Sequence, residues 1–106
     1  DNAMELTSKQ RAQLRGLANG LDTILQIGKE GIGDNLVQQA NEALEARELI
    51  KGRVLESAML TPREACQTLA RLTRSEPVQV LYRESHSKEK KDKIVLVKDR
   101  KKPNPN

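Results

Sequence analysis

The sequence of 106 residues contains no tryptophan and no phenylalanine, and Tyr82 is its only aromatic residue. The hydrophobic core must therefore be built from Leu, Ile, Val and Ala. A platform on which RNA bases stack, as in the RNA-recognition motif, requires several aromatic side chains. The scarcity of aromatic residues argues against such a platform, and it predicts that Tyr82 packs in the core or between strands.

Cysteine and histidine each occur once, as Cys66 and His86. A single cysteine excludes an internal disulfide and suits a reducing cytoplasm, so helix packing is the expected role of Cys66. One cysteine and one histidine cannot form a structural zinc site of the usual type, and no Walker sequence for phosphate binding occurs. We expect no metal, no cofactor, no small-molecule substrate and no enzymatic activity. Scattered acidic residues leave open a nuclease that works through a carboxylate-bound metal.

Long apolar runs are also missing. No stretch approaches the roughly 20 residues that a membrane span needs, and no charged segment followed by an apolar one forms a secretion signal. We expect a cytoplasmic monomer without a membrane partner. Residues 1–3, which precede Met4, have the character of an expression remnant; residues 4–97 are expected to form a single domain, and residues 98–106 a basic disordered tail.

The net charge of +4 is unevenly distributed along the chain. Residues 88–106 contain eight basic and three acidic residues, so much of the basicity belongs to the C-terminal end. A second local excess lies between positions 9 and 29, where Lys9, Arg11, Arg15 and Lys29 are opposed only by Asp22. This second excess is the better indication of a nucleic-acid-binding surface.

Apolar spacing predicts three helices and four strands. The helices are expected to begin at N-cap residues Thr7 or Ser8, Asp34 and Thr61, and to end near residues 19, 46 and 73. The strands are expected at residues 23–27, 48–55, 78–82 and 94–97, although the last could be part of the tail. The predicted fold is α/β (α+β) with the order α-β-α-β-α-β-β. Crossover helices between strands imply a four-stranded mixed sheet with the helices on one face.

A glycine-rich turn, Gly28-Lys29-Glu30-Gly31, follows the first predicted strand and precedes the second helix. Two glycines three apart allow positive φ values and a close approach of the backbone to a ligand. Amides at the start of the following helix favour an anion, and Lys29 can neutralise it, whereas Glu30 opposes it. The residues alone leave a phosphate-binding loop and a plain turn equally open.

Lys51 and Arg53 lie on one side of the second predicted strand, because strand side chains alternate. With the helices on the other face, both side chains should lie on the open face or at its margin. They are candidates for RNA contact, but a solvated strand surface explains them as well.

Several segments together resemble the CRM domain (chloroplast RNA splicing and ribosome maturation), in its bacterial stand-alone, YhbY-like form. The matching segments are Leu6-Thr7-Ser8-Lys9-Gln10-Arg11, Leu17-Ala18, Gly28-Lys29-Glu30-Gly31, Ala43-Leu44-Glu45-Ala46-Arg47-Glu48-Leu49-Ile50-Lys51, Val78-Gln79-Val80 and Leu81-Tyr82-Arg83. The resemblance covers about residues 5–84. In one departure, Val80 runs directly into Leu81, where the family usually has an Ile-Gly turn and a few apolar residues. The hairpin is therefore shortened, or residues are missing from the sequence.

The resemblance implies a fold similar to the C-terminal domain of translation initiation factor three, together with RNA-binding activity. It places the RNA-contacting loop on Gly28, Lys29, Glu30 and Gly31, and a basic first helix on Lys9, Arg11 and Arg15. Bacterial members are associated with precursors of the large (50S) ribosomal subunit, so ribosomal RNA is the expected partner. The alternative is an adaptor that contacts a ribosome-associated protein through an acidic helix face, Glu42 and Glu45, without sequence-specific RNA contact.

Overall fold

The computed structural model describes residues 5–89 and 92–98. Its described part contains three helices and four strands in the predicted order, which confirms the α+β class. The likeness to initiation factor three stays a prediction. The predicted remnant at residues 1–3 and residues 99–106 of the predicted tail lie outside the described residues. The elements are α1 (Ser8–Ala18), β1 (Thr23–Ile27), α2 (Asp34–Arg47), β2 (Leu49–Val54), α3 (Pro62–Thr73), β3 (Glu76–Pro77) and β4 (Leu81–Tyr82).

Two of the three helices begin with a capping box. The Thr7 side chain accepts the Gln10 N–H at the start of α1, and Thr61 accepts the Glu64 N–H at the start of α3. In both cases the side-chain oxygen at the third helical position accepts the backbone N–H of the cap residue. The prediction of Asp34 as the cap of α2 is wrong, because Gly33 occupies the cap position and Asp34 is the first helical residue.

The four strands form one sheet in the order β1-β2-β4-β3. β1 is parallel to β2, whereas β4 is antiparallel to both β2 and β3. The predicted mixed sheet is therefore confirmed. β1 and β3, the first and third strands along the chain, form its two edges.

The helices lie on both faces of the sheet, which corrects the prediction that they share one. The paired residues Leu49 and Tyr82 belong to a core cluster with Leu14 of α1, and we call this side the α1 face. The next pair, Ile50 and Leu81, belongs to a cluster with side chains of α2 and α3; this side is the α2/α3 face. Because consecutive residues of β2 and β4 are apolar, both faces of these strands need a cover.

Of the predicted strand at 78–82, only Leu81 and Tyr82 form a strand, β4, and residues 78–80 form a tight turn that joins β3 to β4. The chain reverses around Gln79, where φ is 74° and the Val78 N–H donates to the Val80 carbonyl at 2.8 Å. Non-glycine residues rarely adopt this left-handed conformation, so composition gave no indication of a turn. The predicted strand at 48–55 begins one residue later than expected, because Glu48 (φ 67°) ends α2.

The segment 94–97 is not a strand, which is a further correction. It runs in extended form along α1, with Ile94 and Leu96 packed against the α1-face core and Val95 exposed. The side chain of Gln13 donates to the Val95 carbonyl at 2.9 Å and accepts the Val97 N–H at 2.8 Å. The alternation of apolar residues in the sequence therefore corresponds to alternating burial in the structure. The backbone of the segment is hydrogen-bonded to a glutamine side chain of α1, however, and not to a neighbouring strand.

Candidate nucleic-acid interface

The residues Gly28, Lys29, Glu30 and Gly31, which we call the GxxG loop, form a hydrogen-bonded turn at the end of β1. The Gly31 N–H donates to the Gly28 carbonyl at 2.9 Å, and φ of Gly31 is 73°. Lys29 and Glu30 occupy the exposed tip of the turn. The left-handed conformation at Gly31 is the feature of this turn that favours glycine.

The start of α2 lies against the same loop. Gly33, its cap residue, has no side chain to bond the first amides, and the first backbone bond of the helix joins the Val37 N–H to the Gly33 carbonyl. The N–H groups of residues 34–36 therefore lack a capping side chain, in contrast to the starts of α1 and α3. Uncapped amides and the positive end of the helix dipole are the groups that bind a phosphate.

An open polar cleft of about 730 Å³ lies between the loop and the start of α2. Its charged residues are Lys29, Glu30 and Asp34, so their formal charges sum to −1. The cleft therefore offers amide donors and one lysine, but it needs further positive charge from outside to hold a polyanion. Its lining residues are Gln26, Gly28, Lys29, Glu30, Gly31, Gly33, Asp34, Asn35, Leu36 and Gln39.

Arg53 is the predicted site residue that strand pairing places beside this cleft. Its partner across the parallel β1–β2 pair is Gln26, which lines the cleft. Arg53 is exposed, and none of the ion pairs among the described residues holds it. The structure thus brings Arg53 and the GxxG loop to the same end of the β1–β2 pair.

Lys51 has a different environment, although it lies on the α1 face with Arg53. Its Nζ donates to the Ala18 carbonyl at 3.2 Å, at the C-terminal end of α1. The same carbonyl also accepts the Leu21 N–H at 3.0 Å, and a cation at this end interacts favourably with the helix dipole. Lys51 therefore has a stabilising role in the fold, and its side chain is only partly exposed.

Of the three predicted basic site residues of α1, one contacts a neighbouring strand and two are exposed to solvent. Arg11 donates to the Pro77 carbonyl at 3.2 Å and lies 3.8 Å from the Glu76 carboxylate. Both partners belong to β3, at the opposite edge of the sheet from β1, so the structure does not bring Arg11 to the GxxG loop. Lys9 and Arg15 are exposed on the same helix.

Polar side chains that the sequence did not indicate as site residues also line the cleft, among them Gln26 and Gln39. Gln26 had a signal in the sequence, because it is the polar residue between the buried Leu25 and Ile27 of an alternating strand. Gln39 is exposed on α2 and reaches the cleft only because the loop turns back towards the helix.

Two features are absent from the described ranges, 5–89 and 92–98. No helix there has the length and apolar character to cross a membrane. No group of three or more His, Cys, Asp or Glu side chains in these ranges is arranged to hold a metal ion.

The fold and the loop are those of a small α+β domain with a glycine-rich turn at the end of its first strand. Residues 6–84 match the model of the CRS1 / YhbY (CRM) domain. The chain belongs to this family, as its sequence predicted.

Two curated relatives align with this chain over 86 residues each. The Probable RNA-binding protein YqeI of Bacillus subtilis is 45% identical, and the alignment covers 76% of this chain and 90% of that protein. An RNA-binding protein of Haemophilus influenzae is 31% identical, with 76% and 87% covered. A solved structure is also similar: the solution structure of the Staphylococcus aureus protein SAV1595, described there as hypothetical and proposed to bind RNA, has a TM-score of 0.67. It is 45% identical and covers 80% of this chain and 95% of its own.

Proposed function

We propose that this protein binds RNA through the cleft between the GxxG loop and the start of α2, with Arg53 as an adjoining cationic contact. The observation that carries the proposal is the uncapped start of α2, whose residues 34–36 line an open cleft together with Lys29. The names of the two curated relatives, both RNA-binding proteins, support the choice of RNA over another polyanion.

The mechanism is phosphate binding by backbone amides with help from two cations. Amides of the loop and the helix start donate to phosphate oxygens, and Lys29 supplies a compact positive charge. Arg53 can bind a neighbouring phosphate bidentately or stack on an unpaired base. Glu30 and Asp34 repel phosphate, so affinity depends on cations outside the loop, including Arg15 and Lys9 on α1. Phosphate contacts position the protein, so recognition of sequence would need base contacts in addition.

The proposed target is ribosomal RNA in precursors of the large ribosomal subunit, in the cytoplasm. This part of the proposal rests on the family resemblance. The adaptor alternative finds less support, because Glu45 lies 3.6 Å from Arg83 and also accepts from the Ser85 hydroxyl at 3.4 Å. An acidic surface that is already used within the fold is a weaker docking site for a basic partner.

A salt-titrated binding experiment tests the interface. Lys29→Ala and Arg53→Ala are measured singly and together against fragments of large-subunit ribosomal RNA, with Arg71→Ala as the control. Arg71 is an exposed arginine in the last turn of α3 and does not line the cleft. Each phosphate contact that is lost should reduce the slope of log affinity against log salt by about 0.7 to 0.9.

The expected result is weaker binding and a shallower slope in the double variant, with Arg71→Ala close to the unmodified protein. An unchanged slope and affinity in the double variant would overturn the proposed interface. Crosslinking in cells, followed by sequencing of the bound RNA, tests the target. Recovery of RNAs without enrichment of large-subunit precursors would count against the ribosomal assignment while leaving RNA binding intact.

A further inference from the structure

β2 is longer than the strand that pairs with it on one side. β1 pairs with β2 from Lys51 to Val54. On its other side β2 pairs with β4 only through Leu49 and Ile50, because the chain turns away at the Gln79 hairpin. Among the described residues, Gly52–Val54 therefore has a strand on one side only, and its other edge is open.

The backbone groups that point to this open edge follow from alternation along the strand. The Glu48 carbonyl accepts from the Arg83 N–H on the β4 side, whereas the Leu55 N–H donates to the Ile27 carbonyl on the β1 side. Because successive residues direct their N–H and C=O groups to opposite sides of a strand, Gly52 and Val54 direct theirs to the open edge. These unpaired donors and acceptors can hydrogen-bond to another extended chain.

An apolar groove lies next to this edge on the α2/α3 face. A cavity of about 80 Å³ there is lined on its sheet side by Leu25, Ile50 and Gly52, and on its helix side by Ala65, Cys66 and Leu69. A wider groove of about 590 Å³ continues along α3 past Cys66 to Arg63. Side chains of an added strand that point towards this face would enter an apolar environment.

The charge on the other face of the same edge is positive. Lys51 and Arg53 project to the α1 face, since they alternate with Gly52 and Val54. A second copy of the same edge would bring its own lysine and arginine against these residues, and like charges on facing strands are destabilising. Self-pairing is therefore disfavoured, whereas an incoming strand with acidic residues on this side is favoured.

We propose that the open edge of β2 at Gly52–Val54 is a docking site for an extended segment of a partner protein in which apolar and acidic residues alternate. The segment adds a strand to the sheet. Its apolar side chains lie over the groove beside Cys66, and its acidic side chains face Lys51 and Arg53. Main-chain bonds supply affinity and the alternate side chains supply selectivity, as in other cases of strand addition.

The probe is a fluorescent eight-residue peptide of alternating glutamate and valine. Two controls accompany it: a peptide of the same composition with the four valines and four glutamates in separate blocks, and an alternating lysine–valine peptide. Binding is measured by anisotropy on the full chain, and the amide resonances of Gly52 and Val54 are followed by NMR. The alternating acidic peptide should bind more tightly than both controls and slow hydrogen exchange at these two amides.

A pair of substitutions at one position isolates the backbone contact. Gly52→Pro removes the N–H that points to the open edge, whereas Gly52→Ala keeps it. An alanine Cβ would lie 3.5 Å from Leu25, which is an ordinary contact. The proline variant should bind the alternating peptide about fivefold more weakly than the alanine variant, the effect of one lost hydrogen bond.

The RNA affinity of the two Gly52 variants should be equal, and Lys29→Ala should leave peptide binding unchanged. The strand-addition site and the RNA interface are therefore tested separately. Equal binding of the alternating and blocked peptides, or no protection of the Gly52 and Val54 amides, would overturn the proposal. Concentration-dependent dimerisation that protects the same amides would overturn it in favour of self-pairing. If the proline variant does not fold, the NMR measurement on the unmodified chain still tests whether the peptide protects the Gly52 and Val54 amides.

Discussion

The buried carboxylate of Glu48 accepts the backbone N–H of Ser85 at 2.7 Å, and both residues are fully buried. Its second oxygen accepts the N–H of Ile94. Glu48 also ends α2, and its own backbone pairs with Arg83. One residue therefore joins the end of a helix to the chain that follows β4.

Replacing Glu48 with glutamine should lower the free energy of unfolding by about 2 to 4 kcal/mol. The amide retains one acceptor oxygen but presents a donor to a backbone N–H, so one buried donor loses its partner. Urea unfolding measures the loss. Glu45→Gln is the matched control, because Glu45 is partly exposed and lies 3.6 Å from Arg83, and a change below about 1 kcal/mol is expected there. Equal losses in the two variants would contradict the role assigned to Glu48.

Glu48 also shows where prediction from sequence reached its limit. Thr7 and Thr61 were identified as helix starts, and Thr23–Ile27 as a strand, because capping and alternation are local signals. Glu48 and Gln79 adopt positive φ values that tertiary contacts impose, so the residue types gave no signal for the end of α2 or for the hairpin. The segment 94–97 has the alternation of a strand, but only the folded chain shows that its neighbour is α1.

The candidate interface likewise has one part that the sequence predicted and another part that only the structure shows. Two glycines and a lysine between a strand and a helix predicted the GxxG loop and its position. The contribution of Arg53 depends on the register of β1 against β2, which places it opposite Gln26. Arg11 and Arg15 are one turn apart and looked equivalent, but only the structure shows that β3 lies beside Arg11.

Tyr82 should ionise only at strongly alkaline pH. Burial, followed by the negative charges of Glu48 and Glu84, raises the pKa of Tyr82 to about 12 from 10.0. Because the pKa of Tyr82 is higher in the folded chain than in the unfolded chain, the protonated hydroxyl favours the folded state. This stabilisation is fully present below pH 10 and is lost as pH rises through 12. Ultraviolet titration of the phenolate should show the high midpoint while the chain is folded, and Tyr82→Phe should reduce the alkaline decline in stability. A midpoint near 10 in the folded chain would contradict the burial of this hydroxyl.

Alanine substitutions of the two arginines of α1 should have different effects on the free energy of unfolding and on RNA affinity. Arg11→Ala removes an ion pair with Glu76 and a bond to the Pro77 carbonyl, so unfolding should become easier by about 1 kcal/mol. Arg15→Ala removes an exposed cation, so the unfolding free energy should change by less than about 0.5 kcal/mol, whereas RNA affinity and its salt slope should fall. Urea unfolding and the salt titration are measured on both variants. The assignment fails if Arg15→Ala is the more destabilised of the two.

Gly31 should be the glycine of the GxxG loop at which alanine is costly. Its φ of 73° lies in the left-handed region, and nothing lies within 4 Å of an added Cβ, so the penalty is conformational rather than steric crowding by neighbours. Gly31→Ala should lower the unfolding free energy by about 1 to 2 kcal/mol and weaken RNA binding by distorting the turn. Gly31→Asn should recover part of both losses, because asparagine adopts this conformation more readily than alanine does.

Gly16 provides the matched control for Gly31, because it lies inside α1 with the same open space around its Cα. Gly16→Ala should raise the unfolding free energy by about 0.5 to 1 kcal/mol, since alanine loses less backbone freedom in a helix. The same chemical change should therefore have opposite signs at the two glycines, and urea unfolding of both variants checks this. Equal stabilisation at Gly31 and Gly16 would show that the turn does not hold Gly31 at positive φ. The glycine would then have no conformational role in presenting Lys29 to RNA.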